Sequence, residues 1–240
     1  MDRQSNLAGM EMLPTAALFG GAAVLLAIAT RVVIPWLHRA TGLELVLCWF
    51  LAGGIGVFLP LLVAAWAILR REHRAPGESL WRDRLRFRRM TGPEWAWSLG
   101  GLLVVGAMSM GLLLGMRHLL GTAALVPSFL EVRPLAGVRL WILAAWVPFW
   151  FLNIMGEEIL WRGTMLPRQE RSFGQWAWLV HAVGWGVFHT AFGPVLLVTV
   201  VPALLVLPYL VQRRQNTWVG VVIHSGLNGP AFIAIALGLL

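Results

Sequence analysis

The charged residues of this 240-residue chain are spaced so as to leave seven long, uncharged and mostly apolar runs, and that spacing limits the fold more than any other feature. The runs are Leu13 to Thr30, Leu45 to Leu69, Trp95 to Met116, Leu140 to Gly156, Ser172 to Phe192, Val195 to Val211 and Gln215 to Leu240. Each is close to the roughly 20 residues that a helix needs to cross a hydrocarbon layer. Within that layer only helices and closed barrels satisfy their own backbone groups, and continuous apolar runs of this length specify helices. The fifth and sixth runs are contiguous. They divide at Gly193-Pro194, because proline has no backbone donor and the residue before it avoids the helical region. Leu119 to Leu130 is apolar but too short to span, and reads as an interfacial or re-entrant piece. The expected fold class is all-α, a polytopic transmembrane helical bundle of about seven spans.

Composition agrees, since 58% hydrophobic against 12% charged residues leaves too little polar surface for a water-facing globule. The lone Cys48 permits no intramolecular disulfide and no cysteine metal cluster. All 19 basic residues are arginine, and they lie between the spans, where the positive-inside rule accounts for them. The lipid bilayer, and no nucleic acid, is therefore the expected partner. Arg70, Arg71, Arg74, Arg82, Arg84, Arg86, Arg88 and Arg89 mark the segment 70–94 as a cytoplasmic loop, read as a solvated charged linker. With Arg3, the stretch Arg162 to Arg171 and Arg213-Arg214 on the same side, the amino terminus is cytoplasmic and the protein a multi-pass protein of the plasma membrane. Ala27-Ile28-Ala29 has the look of a signal cleavage site, but Arg3 is offset by Asp2 and Glu11, so the first span is expected to be retained. No oligomeric state follows from the single small-residue pair Gly111 and Gly115.

Ionisable and strongly polar groups within spans are costly, so those that occur are informative. Three clusters do, all in the carboxyl-terminal half. In Gly156-Glu157-Glu158-Ile159-Leu160-Trp161-Arg162-Gly163, Glu158 and Arg162 are four apart and share a helical face, while Glu157 points about 100° away. This suggests that Arg162 holds Glu158 charged and leaves Glu157 for chemistry. The second cluster is Trp185-Gly186-Val187-Phe188-His189, with His181 on the same stripe as a rival histidine. The third is His224-Ser225-Gly226-Leu227-Asn228, which puts an imidazole and a carboxamide on one face. Each alone is also what a solvated helix end or a pair of interhelical hydrogen-bonding residues looks like.

Taken in order, E-E-x-x-x-R, then the histidine motif, then H-x-x-x-N resemble the signature of the CPBP family of intramembrane proteases, which includes the CAAX prenyl endopeptidases and bacterial abortive-infection and bacteriocin-immunity proteins. The resemblance covers Leu140 to Pro230. It departs from the family in having Trp185 and Trp161 where phenylalanine is usual. It implies a supporting region of three spans over residues 1–139 and a catalytic helical core over 140–240. It also implies an intramembrane endopeptidase acting on a membrane-associated protein or peptide. Hydrolysis of a peptide bond needs an activated water and a stabilised oxyanion. Glu157 would serve as general base with His189 orienting the water, His224 and Asn228 would donate to the oxyanion, and Glu158 with Arg162 would brace the first motif. A metal alternative uses Glu157, His189 and His224 as ligands of a divalent ion such as zinc, with water in the fourth position, although H-E-x-x-H is absent. A catalytically inactive immunity or scaffold protein and a proton- or ion-coupled transporter are the other readings.

Depth counting leaves one tension. At about 1.5 Å per residue, Glu157 lies about 24 Å from Trp141 and His224 about 10 Å from Thr217, whereas His189 lies about 20 Å from Trp176. These depths agree only if the fifth helix begins outside the hydrocarbon. His181, about 8 Å in, fits a simple count better, but the family spacing selects His189.

Overall fold

The computed structural model describes residues 7–72, 77–121, 127, 129–130 and 132–239. Arg3, Arg74 and half of the Leu119 to Leu130 segment lie outside these, as does Leu240 at the end of the last run. The described chain is helical. α1 runs Met12–Thr41, α2 Leu45–Leu69 and α3 Gly92–Leu120. α4 is Trp141–Glu157, followed without a break by a π-helical segment, Glu158–Met165, and by α5, Leu166–Phe173. α6 is Ala177–His189, α7 Pro194–Arg214 and α8 Thr217–Ala236.

Among the described residues six helical runs are long and apolar enough to cross a membrane, one fewer than the sequence suggested. The difference lies in Gly137–Phe192, a single helical run of 56 residues. At about 1.5 Å per residue it is far longer than the roughly 30 Å hydrocarbon layer. Gly174, at φ +56°, turns the chain between α5 and α6, so this run contains both the fourth and the fifth expected spans. The expected division at Gly193-Pro194 is present, with Gly193 at φ +91° and α7 starting at Pro194. Gln212 closes the α6–α7 hairpin by accepting from the Trp178 amide (2.7 Å) and donating to the Gly174 carbonyl (3.1 Å). α3 turns apolar side chains such as Leu103 outward, as a lipid-facing helix must.

Of the four π-helical turns among the described residues, Ala29–Val33, Gly54–Phe58 and Glu158–Met165 each end two residues before a proline (Pro35, Pro60 and Pro167), while Leu80–Arg84 does not. A proline cannot donate to the carbonyl four residues back, and its ring collides with it. Widening the preceding turn moves that carbonyl away. Pro148, Pro202, Pro208 and Pro230 sit inside α-helices without such a turn, so proline permits the widening rather than dictating it.

The basic loop is not the solvated linker expected from its composition. Arg84 and Arg86 are buried. Arg84 forks onto Glu72 (2.6 and 2.7 Å) and donates to the carbonyls of Gly163 (3.0 Å) and Thr164 (3.3 Å). Pro167 has no N–H to offer Gly163, so the buried guanidinium supplies that carbonyl's donor. Arg168 also pairs with Glu72, and Arg86 pairs with Glu170. Arg88 donates to the Arg214 and Gln215 carbonyls at the end of α7, satisfying acceptors that a helix terminus leaves open. At the other end of the molecule Glu44 accepts from Arg139 (2.5 and 3.0 Å), a bond that lowers the Glu44 carboxyl below its usual range.

An aromatic cluster of Trp49, Phe50 and Phe58 from α2 with Phe149 from α4 fills the space on one side of the polar residues. Gly156 lets α4 approach α2 there. A Cβ at that position would lie 2.8 Å from the Phe58 carbonyl oxygen. On the other side Phe19 of α1 stacks on Trp161 (4.5 Å) and fills the notch left by Gly184 in α6.

Candidate active site

Glu157 ends α4 and Glu158 opens the π-helical segment, and the two carboxylates diverge as the sequence suggested. Both are buried. Glu157 accepts from Asn153 Nδ2 through Oε1 (3.0 Å) and from Trp185 Nε1 through Oε2 (2.7 Å). Glu158 Oε1 accepts from Arg162 Nη1 (3.0 Å) and faces His224 Nδ1 (2.9 Å). The Arg162 guanidinium lies 3.6 Å from the centre of the Trp185 ring, a close cation–π stack. Its Nε and Nη2 have no partner among the described residues.

His224 and Asn228, one turn apart on α8, complete a chain. Asn228 Nδ2 lies 3.2 Å from His224 Nε2 and donates to Asn153 Oδ1 (3.0 Å). His189 is set one turn beyond Trp185 on α6. Its Nδ1 lies 2.9 Å from the Trp185 carbonyl, which can only accept. Nδ1 therefore carries the proton, and in the neutral ring Nε2 is a bare acceptor. The rings of His189 and His224 both contact Trp185 edge-on, at 5.1 and 5.8 Å.

Glu157, Glu158, Arg162, His189, His224 and Asn228 thus gather around one indole. His181 does not join them. Its Nδ1 binds Gln169 Oε1 of α5 (2.7 Å), and its ring packs on Phe19. Depth counting favoured His181 because it measured α6 from Trp176 as a straight span. In the fold, Trp185 is level with Glu157, which puts His189 a turn deeper and His181 a turn shallower.

Two residues of this network were missed. Asn153 was read as part of an apolar span, though its spacing of four from Glu157 was a usable signal. Trp185 was read as a spacer aromatic, although only tryptophan brings an N–H there. Replacing it tests that contribution: Trp185→Phe leaves a ring under Arg162 and Glu157 Oε2 without its donor, and should cost about 1–3 kcal/mol in thermal unfolding of the purified protein.

Gly220 is required by close approach. A Cβ there would stand 2.4 Å from Glu158 Oε2 and 3.0 Å from Val211. Gly220→Ala should therefore push Glu158 off Arg162 and His224, destabilising the protein by about 1–3 kcal/mol and reducing turnover; a variant with wild-type melting and turnover would contradict this crowding.

Both oxygens of Glu157 and both ring nitrogens of His224 already have partners, leaving only His189 Nε2 uncommitted among the three proposed ligands. No three His, Cys, Asp or Glu side chains form a ligand group among the described residues.

The fold and these residues define a multi-pass helical membrane protein with a buried Glu/His/Asn centre. Residues 139–229 match the family model described as type II CAAX prenyl endopeptidase Rce1-like, so this segment, less than half of the chain, is similar to membrane proteases of the CPBP/CAAX family. The match holds all six of the gathered residues. No curated protein and no solved structure matches the chain.

Proposed function

We propose that the protein is an intramembrane endopeptidase in which Glu157 takes a proton from a water that attacks a peptide carbonyl of a membrane-associated protein or peptide. The observation that supports this most is a buried carboxylate whose two oxygens are each held by one N–H donor, beside a histidine with a free Nε2. Two donors fix the carboxylate plane and leave lone pairs for a proton. His189 Nε2 accepts the water's other hydrogen and aims its oxygen. As the tetrahedral intermediate forms, Asn228 turns its amide hydrogens from Asn153 and His224 to the oxyanion; His224, whose Nδ1 is engaged by Glu158, positions Asn228 and does not itself donate, unlike the role the resemblance implies. The proton on Glu157 then passes to the leaving amine, and the C–N bond breaks. Glu158 and Arg162 hold His224 in place from behind.

The test compares peptide termini in membranes from cells expressing wild type and Glu157→Gln at equal levels. Termini present only with wild type are the expected result, and they name the substrates. Coincident profiles across growth conditions would favour the inactive scaffold instead.

A further inference from the structure

Asn153 stands out because an amide within an apolar span is costly unless both its ends are satisfied, and here both ends meet site residues. It is 9% exposed, one turn before Glu157 on α4. Nδ2 donates to Glu157 Oε1 and Oδ1 accepts from Asn228 Nδ2, each at 3.0 Å. An asparagine looks the same whichever way its amide is turned, but the partners are not symmetric. A carboxylate only accepts, so the nitrogen of Asn153 must face Glu157. Its oxygen then faces Asn228, which must present its nitrogen in turn. The second hydrogen of that nitrogen points at His224 Nε2, 3.2 Å away, so Nε2 must be bare. The His224 proton is thereby placed on Nδ1, where Glu158 Oε1 accepts it at 2.9 Å.

We infer that Asn153 is a positioning residue that sets the direction of every hydrogen bond between Glu157 and Glu158, including the orientation of the Asn228 amide and the tautomer of His224. The two carboxylates at the ends of the chain permit one arrangement, and Asn153 is the link through which Glu157 imposes it. The arrangement also has a consequence for turnover, which rests on the protease reading above. At rest the hydrogens of Asn228 are committed to Asn153 and His224, so no oxyanion donor is free on that residue. When Glu157 accepts the water's proton, its charge-assisted bond to Asn153 weakens. Asn153 can then release Asn228 as the oxyanion appears. Proton uptake and donor release are coupled through one amide.

Two variants of the full chain test this, Asn153→Leu and Asn153→Asp. The first readout does not require activity: the infrared carboxylate bands of Glu157, isolated by subtracting the spectrum of Glu157→Gln. They should shift in Asn153→Leu, because the carboxylate loses a donor. Unshifted bands would overturn the inference. The second readout is steady-state cleavage of a substrate found by the termini comparison. Asn153→Leu should lose about 10- to 100-fold in kcat with KM within about twofold, the split expected when a group acts on the reacting atoms rather than on binding. Asn153→Asp controls for packing. Only its protonated form offers both a donor to Glu157 and an acceptor to Asn228, so its turnover should exceed that of Asn153→Leu increasingly as pH falls. Wild-type kcat in Asn153→Leu, or an Asn153→Asp profile that coincides with Asn153→Leu at every pH, would overturn it. Shifted bands in Asn153→Leu, together with a wild-type protein that cleaves nothing, would support the hydrogen-bond assignment and sink the protease reading instead.

Discussion

Purified Glu157→Gln should cleave about 10²- to 10⁴-fold more slowly than wild type, the contribution typical of a positioned general base. The substitution keeps size and shape but replaces an acceptor-only group with an amide. Asn153 Nδ2 and Trp185 Nε1 both donate to Glu157, so whichever way the new amide turns, its NH₂ meets a donor. Trp185 cannot adapt, because an indole nitrogen only donates. Asn153 can turn over, but its nitrogen then faces that of Asn228, and the mismatch passes to His224 and ends at Glu158. The variant should therefore lose about 1–3 kcal/mol of stability as well as activity. Thermal unfolding in micelles separates the two effects. A folded Glu157→Gln with wild-type turnover would remove Glu157 from the chemistry. His189→Ala is a useful companion, since that side chain bonds a backbone carbonyl and stands outside the carboxylate chain, so its loss leaves the chain intact. It should lower turnover with little change in melting.

How much of this could be read in advance depended on the range of each interaction. Span positions were legible because bilayer thickness acts on every run alike, and the break at Gly193-Pro194 follows from proline's own chemistry. The Glu158–Arg162 pair was legible because both residues lie on one helix, four apart. The tie between Glu157 and Trp185 was not, since it joins residues 28 apart on different helices and depends on which aromatic stands at 185. The widened turn at Glu158–Met165 had no periodic signature, although Pro167 marked where it had to end. The basic loop misled most. A run of arginines looks solvated when its partners are not visible, and the partner of Arg86, Glu170, lies 84 residues along the chain.

That buried loop yields the largest expected effect on stability. Arg84→Met should destabilise the protein by about 3–5 kcal/mol, as expected when one partner of a buried pair is removed. The guanidinium makes two bonds to Glu72 and one to each of the Gly163 and Thr164 carbonyls, with its side chain 5% exposed. Without it the Gly163 carbonyl loses its donor at a place where Pro167 can supply none. Glu72 keeps Arg168, so the carboxylate is not left alone and the backbone carbonyls carry much of the cost. Arg84→Lys should recover only part of the loss, because a single ammonium cannot fork onto Glu72 and reach Gly163 at once. Arg168→Met should cost less than Arg84→Met, since Glu72 retains its forked partner. Salt provides the discriminating condition. A loop held by exposed charges would loosen as ionic strength rises, whereas a buried guanidinium is screened little. Wild type should thus melt almost equally at low and high salt, and Arg84→Met well below it in both. An Arg84→Met protein that melts with wild type would show that the loop merely lies against the helices. The expected loss would instead show that the loop holds the Gly163–Thr164 end of the π-helical segment, the segment that presents Glu158 and Arg162 to His224.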